Sequence, residues 1–284
     1  MTKSLAEPVF YNESDVIYAC YSNLTRSNDD FIGNHMLGLI VEGSLTVVNG
    51  NEIKTFQRNE VLLYQKNKLA RFIKQPENGK PFESISIIFD EIFLDEFAQR
   101  NNLASTTPLE NNFEVLIEVK SDAVTELLRK LLVVEPINAE YITLAKCQLV
   151  SNLISLAPEI KDILFDFSKP WKIDLEPFMN KHFRHSLPAE KLAYLTGRSL
   201  ATFKRDFKKT FKSTPNRWVQ SKRLEEAYFL IYRKGKKPVD IYLDLGFESI
   251  SHFSYAFKKF FGINASKLPT KTAVLNGRRN DFAK

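Results

Sequence analysis

Cysteine is almost missing from this chain, with Cys20 and Cys147 alone among 284 residues. Two isolated thiols exclude a disulfide framework and a cysteine-based zinc pattern, and they read as inert side chains of a reducing compartment. Histidine is as scarce: there are four, and only His35 lies in the N-terminal half. A metal-dependent barrel enzyme needs His-x-His and further His or Glu ligands on adjacent strands. No metal and no other cofactor is therefore expected, and His35 reads as a core or surface residue, or else as a ligand contact. A glycine-rich phosphate loop is missing, as is any Ser/His/Asp or Cys/His arrangement, so the chain is not expected to be an enzyme. No apolar run approaches the ~20 residues of a membrane-spanning helix. Met1 to Pro8 lacks the apolar stretch of a secretory signal. The expectation is a cytoplasmic protein without a membrane partner.

What is present is ordinary in bulk and uneven in distribution. Hydrophobic residues make up 44% and charged residues 26%, a globular composition, and the length suits two domains. The net charge of +6 conceals a division. Residues 1–167 hold 15 Lys+Arg against 24 Asp+Glu, whereas residues 168–284 hold 25 against 10. A balance of −9 followed by +15 points to a polyanion-binding C-terminal domain and an N-terminal domain with another task.

The N-terminal half reads as β. Strands are predicted over Met36–Val41, Ser44–Val48, Glu60–Tyr64, Ala70–Ile73 and Phe82–Phe89, with a hairpin signal at Asn49-Gly50-Asn51. Many short strands between Gly, Asn and Pro turns suggest a small barrel or sandwich. Tyr18, Tyr21, Phe31, Phe56, Tyr64, Phe72 and Phe82 either fill its core or line an apolar ligand cavity. From Ile92 the texture turns helical: Phe93–Arg100, then Ser121–Val134 with Ser121 as N-cap, then Ala139–Leu156. Along the last of these, Leu144, Gln148, Leu149, Leu153 and Leu156 form a stripe. It either packs internally or makes an isologous contact across a homodimer axis. The charge switch and Pro170 mark the boundary. The division is thus residues 1–165, a linker at 166–171, a second domain at 172–268 and a mobile basic tail at 269–284.

The second domain contains a repeat. Phe203, Phe207 and Phe211 recur at i, i+4, i+8 with lysines turned away, and Phe253, Phe257 and Phe261 repeat the pattern fifty positions on. Each is preceded by a short apolar-patterned helix and a glycine turn, at Leu192–Gly197 and Ile241–Gly246. Helix, turn, basic helix, twice over, outlines two helix-turn-helix units that lie on DNA. Between them a helix over Asn216–Tyr232, with Pro215 at its start, would be roughly 26 Å long. Recognition helices held at its ends reach successive major grooves, which recur about every 34 Å.

The quotable pieces are Leu192, Ala193, Thr196, Gly197, Arg198 and Ser199 with the run Phe203–Lys209, then Leu245, Gly246, Phe247, Glu248, Ser251, His252, Phe253, Ser254, Phe257, Lys258, Lys259, Phe261 and Gly262. Over about 100 residues, Leu175–Leu268, this resembles the AraC/XylS family of bacterial transcription regulators. The resemblance implies an α+β chain: a small cupin-like β-barrel with a helical dimerisation or linker segment, then an all-α domain of two helix-turn-helix motifs joined by a long helix. It implies base contacts by Ala201, Lys204 and Arg205, with Thr202 and Lys208 near phosphates. In the second unit the matching positions are Ile250, Ser251, Ser254 and Tyr255, with His252 beside them and Lys258 and Lys259 toward the backbone. Ser199 and Ser249 stand at the starts of the two helices. Tyr242 and Tyr255 depart from the family, which has a small residue and commonly Arg there. The implied function is an activator that binds double-stranded promoter DNA, with RNA polymerase as a partner. The implied N-terminal task is dimerisation and reception of a small ligand, or else control by a regulatory protein.

Overall fold

The computed structural model describes residues 15–26, 31–49, 52–105, 115–132, 138–168 and 170–269. The Gly50-Asn51 turn, Met1–Pro8 and the tail from residue 270 lie outside them. The chain divides into two compact units between residues 169 and 170.

Among the described residues the first unit has eleven strands: β1 Val16–Tyr21, β2 Thr25–Arg26, β3 Phe31–Ile32, β4 His35–Glu42, β5 Ser44–Asn49, β6 Glu52–Phe56, β7 Val61–Tyr64, β8 Lys68–Leu69, β9 Arg71–Gln75, β10 Phe82–Phe89 and β11 Leu116–Val119. Helices α1 Glu91–Arg100, α2 Asp122–Lys130, α3 Ala139–Leu156 and α4 Ile160–Leu164 follow or flank β11. The strands pair as an antiparallel five-stranded sheet, β1-β10-β4-β7-β11, a four-stranded sheet, β2-β9-β5-β6, and the short ladder β3-β8. A ladder joining these sheets into a closed barrel is not among the described pairings.

The period-2 alternation of a strand assigns each face. On the five-stranded sheet, Leu37, Leu39, Val61, Leu63, Ile85 and Ile87 enter a core with α1, α2 and α3, which bring Leu94, Leu128 and Leu149. From the opposite face, Ile40, Leu62 and Phe82 meet Leu45, Val47 and Phe56 of the four-stranded sheet in a second core. Strands β6 and β11 escape the hydrophobic reading for opposite reasons. β6 is exposed over Glu52–Thr55 because it is an edge, and β11 is four residues long within a helical stretch.

One polar group crosses into the first core. Lys146 on α3 is buried; its Nζ pairs with Asp15 and with Asp90 at 3.1 Å and lies 4.8 Å from the Phe93 ring centre. Asp90 caps α1 by accepting from the Phe93 N–H. Its partial burial favours the neutral acid, yet that N–H and the Lys146 ammonium hold its carboxyl below the usual range.

The second unit is helical: α5 Leu175–His182, α6 Ala189–Leu195, α7 Leu200–Phe211, α8 Pro215–Lys234, α9 Pro238–Ile241 and α10 Ile250–Phe261, then a 3-10 turn at Ala265–Lys267. It has two cores. Leu175, Met179, Leu192, Ala193, Phe203 and Phe207 close α5–α7. Leu224, Ala227, Ile231, Ile241, Leu245, Phe247, Phe253 and Phe257 are central to the other. With 20 residues, α8 is about 30 Å long. Pro215 at its first position and Gly235 in left-handed conformation beyond its end set both limits.

Candidate nucleic-acid interface

The phenylalanine repeat anchors α7 and α10 by the same means. Phe203 and Phe207 are fully buried, with ring centres 5.5 Å apart, and Phe207 lies 4.4 Å from Phe211. In the second unit the corresponding spacings are 5.7 Å for Phe253–Phe257 and 4.7 Å for Phe257–Phe261. α8 supplies an aromatic side chain to each stack: Trp218 lies 4.6 Å from Phe211, and Tyr228 lies 5.0 Å from Phe261. The anchored face of α7 and α10 is thereby apolar, and the opposite face is left to water.

The turns before these helices require glycine. Gly197 has φ +65° and Gly246 φ +82°, the left-handed region that costs other residues energy. Space is as restrictive as conformation. A Cβ at Gly197 would lie 2.2 Å from the Trp171 carbonyl carbon, and one at Gly246 2.4 Å from the Arg184 oxygen and 2.7 Å from Arg223 Cζ. Beyond each turn a serine starts the helix. Ser199 Oγ accepts from the Thr202 N–H at 3.3 Å and Ser249 Oγ from the His252 N–H at 3.1 Å. Both serines, placed at the interface by sequence, thus have a capping role.

On the outer face of α7, Ala201, Lys204, Arg205 and Lys208 are exposed, and Thr202 is half-buried at the first turn. On α10, Ile250, Ser251, His252, Ser254, Tyr255, Lys258 and Lys259 are exposed. Tyr255 is 67% exposed, with the Lys259 ammonium 5.9 Å from its ring centre. Tyr242, the other departure from the family pattern, packs half-buried against the second core.

Arg198, in the turn before α7, is not a surface cation. Its side chain is only 7% exposed and points inward. Its Nε donates to Asp206 at 3.2 Å, and its terminal nitrogen donates to the carbonyls of Ile173 at 2.8 Å and Thr196 at 2.7 Å. The Arg198 hydrogen bond, with Lys172 and Arg205 nearby, holds the Asp206 carboxyl below its usual range. A sequence pattern counts this arginine as a surface cation because pattern gives charge without direction. The sequence also gave no hint of Arg223 on α8, which donates to the carbonyls of Phe183 at 2.9 Å, His185 at 2.9 Å and Gly246 at 2.6 Å. One guanidinium thus bridges the loop before α6 and the turn before α10.

In the first unit, the stripe on α3 separates. Leu149 and Leu153 are fully buried in the helix–sheet core, so neither is free for a contact across a dimer axis. Leu144 at 56%, Leu156 at 50% and Gln148 remain exposed. The i, i+4, i+8 register of 145, 149 and 153 faces the sheet, and 144, 148 and 152 lie one position round the helix. His35 is buried at 2% exposure and accepts at Nδ1 from the Lys66 N–H at 3.3 Å. Phe56 and Phe82 lie inside the core between the sheets, with Tyr21, Tyr64 and Phe72 packed against it.

A helix-turn-helix domain family matches residues 192–270. The chain is 24% identical over 237 residues to the HTH-type transcriptional regulator ExsA of Pseudomonas aeruginosa, spanning 81% of this chain and 84% of that protein. It is 29% identical over 93 residues to the virulence regulon transcriptional activator VirF of Yersinia enterocolitica, 33% of this chain and 34% of that one. The ToxT structure from Vibrio cholerae aligns with 89% of this chain and 96% of its own at 16% identity, with a TM-score of 0.41. With its doubled helix-turn-helix and these sequence relatives, residues 192–270 are a helix-turn-helix domain of the AraC type, and the chain is similar over most of its length to a DNA-binding transcription regulator.

Proposed function

We propose that this regulator is a sequence-specific activator whose α7 and α10 enter successive major grooves of promoter DNA. The observation that supports this is the pair of phenylalanine-anchored helices whose outer faces carry Lys204, Arg205, Lys208, Lys258 and Lys259 in the exposed state. Arg or Lys paired to guanine is the commonest specific contact, and Ala201 suits a thymine methyl. α7 is the dominant reader, because the exposed cations cluster there. The name of VirF supports the activating sign, and RNA polymerase is the partner that sign requires. We place the protein in the cytoplasm.

The acidic first unit dimerises and receives the signal. Its free α3 surface, centred on Leu144, Gln148 and Leu156, is the contact we assign to the homodimer. The aromatic side chains packed between the two sheets favour a regulatory protein over a small ligand as the source of the signal. The test of the DNA reading uses the fragment from Ser168 to the C-terminus, which has both helical cores. It is expected to bind selected duplex sites as a monomer, with affinity falling steeply between ~50 and ~200 mM salt because phosphate neutralisation supplies most of the binding. A folded fragment without salt-sensitive binding overturns it.

A further inference from the structure

A cleft of about 500 Å³ opens inside the second unit, between the two helix-turn-helix motifs. It collects His182 and His185 from the end of α5 and the loop after it, Asn216, Arg217 and Gln220 from the first turns of α8, and His252 from the first turn of α10. Among the described residues, no carboxylate lines it. The unit around it still holds Asp206, Glu226 and Glu248, so the lining is a selected composition and not a consequence of an acid-free domain. Arg223 forms part of its wall and is committed to three backbone carbonyls. Arg217 is exposed and makes no ion pair among the described residues. The Nδ1 atom of His182 is buried without a hydrogen-bond partner. Burial, with His185 and Lys181 nearby, keeps this imidazole neutral, its pKa lowered to about 3.

We propose that this cleft seats a phosphodiester of the DNA backbone, in the stretch of duplex that lies between the two grooves read by α7 and α10. The inference rests on the DNA-binding reading above and places its charged contact, Arg217 of α8, outside both recognition helices. Its position is what commits it to the duplex. The first helix of a helix-turn-helix crosses the backbone while the second enters the groove. The cleft brings Ser186 and Leu187, just before the crossing helix α6, beside His252 at the start of the entering helix α10. A strand passing from one groove to the next has to cross between those two points. At ~30 Å³ per water, the volume holds more than a dozen waters, room for a wet backbone segment and far more than a single dehydrated ion occupies. Arg217 supplies the charge, and Asn216, Gln220 and the imidazoles supply neutral polar atoms. Because Arg223 ties the same walls together, a phosphate seated there also registers the spacing of the two recognition helices.

The experiment measures Kd for full-length protein on a selected duplex and on a scrambled one, over a salt series. Arg217→Ala is expected to weaken binding to both sequences by a similar factor, roughly 3- to 10-fold, and to reduce the slope of log K against log salt by about one. Arg217→Lys should restore the slope, and the charge-matched control Lys54→Ala in the first unit should leave it unchanged. If wild type binds with a steep salt dependence and Arg217→Ala keeps the full slope, the cleft proposal is overturned while the DNA reading stands. A wild type that does not bind DNA removes the DNA reading, and the cleft with it. The free-anion arm titrates inorganic phosphate into the DNA-free protein while following the His182, His185 and His252 imidazole resonances. No saturable shift below millimolar phosphate is expected. Saturation there, lost in Arg217→Ala with an unchanged DNA slope, would assign the cleft to a free phosphorylated molecule and overturn the duplex assignment.

Discussion

Substituting glutamate at two positions on different faces of α3 should separate folding from assembly. Leu149 is 0% exposed in the helix–sheet core, whereas Leu144 is 56% exposed. At Leu149, losing the buried leucine costs about 2–5 kcal/mol. A carboxyl placed there is driven to its neutral form, and a shift of ~3 pKa units adds about 4 kcal/mol at neutral pH. The sum, roughly 6–9 kcal/mol, matches the whole stability of a typical domain at ~5–15 kcal/mol. Leu149→Glu is therefore expected to yield an unfolded or insoluble first unit. Leu144→Glu should cost within about 0.5 kcal/mol as a surface change. If the exposed α3 face is the dimer contact, that variant is a folded monomer that binds one site normally and loses cooperative binding to paired sites. Circular dichroism melts report folding, sedimentation reports mass, and mobility shifts on single and paired sites report cooperativity. A soluble, cooperatively melting Leu149→Glu would refute the packing argument. A Leu144→Glu that stays dimeric would remove α3 from the interface.

Arg205→Ala is expected to cost about 1–3 kcal/mol of binding and to relax preference at one base pair, measured by selection from randomised sites. A uniform loss would instead make Arg205 a phosphate contact, and a larger effect of Tyr255→Ala would reverse the ranking of the two helices. Arg198→Ala removes a donor from the Ile173 and Thr196 carbonyls and leaves Asp206 with Lys172 and Arg205 alone, so the first helix-turn-helix should lose about 1–3 kcal/mol; an unchanged melting temperature for the second unit would show the clasp to be dispensable. For His35, burial with Lys66 nearby lowers the pKa to about 3, so the native state stays neutral where the unfolded chain takes up a proton. Stability contributed by this neutral site is complete above the unfolded pKa of ~6.5 and declines as pH falls, by about 2 kcal/mol at pH 5. Urea unfolding at pH 7.5 and pH 5 should show that decline in wild type and less of it in His35→Gln; equal slopes would mean that His35 is solvated.

The doubled helix-turn-helix is legible in the sequence because its signals are local. Phenylalanines at i, i+4 and i+8 define one helix face, a glycine marks each left-handed turn, and Pro215 and Gly235 bracket α8. The strand Phe82–Phe89 and the helix Ala139–Leu156 were legible for the same reason, as long runs with one clear periodicity. Direction was not legible. Arg198 and Arg205 are seven positions apart in one basic stretch, and only packing against Ile173, Thr196 and Asp206 turns the first inward and leaves the second in solvent. Likewise the leucine stripe of α3 reads as one surface in sequence. The sheet beneath the helix removes Leu149 and Leu153 from water and leaves Leu144 and Leu156. The cleft between the motifs draws on segments as far apart as His182 and His252, joined only when Arg223 bridges three carbonyls from both sides. Helix and strand periodicity is a property of neighbours in the chain and is written there. The choice of which charged group is buried depends on partners dozens of residues away, and the tertiary fold alone brings them within hydrogen-bond reach.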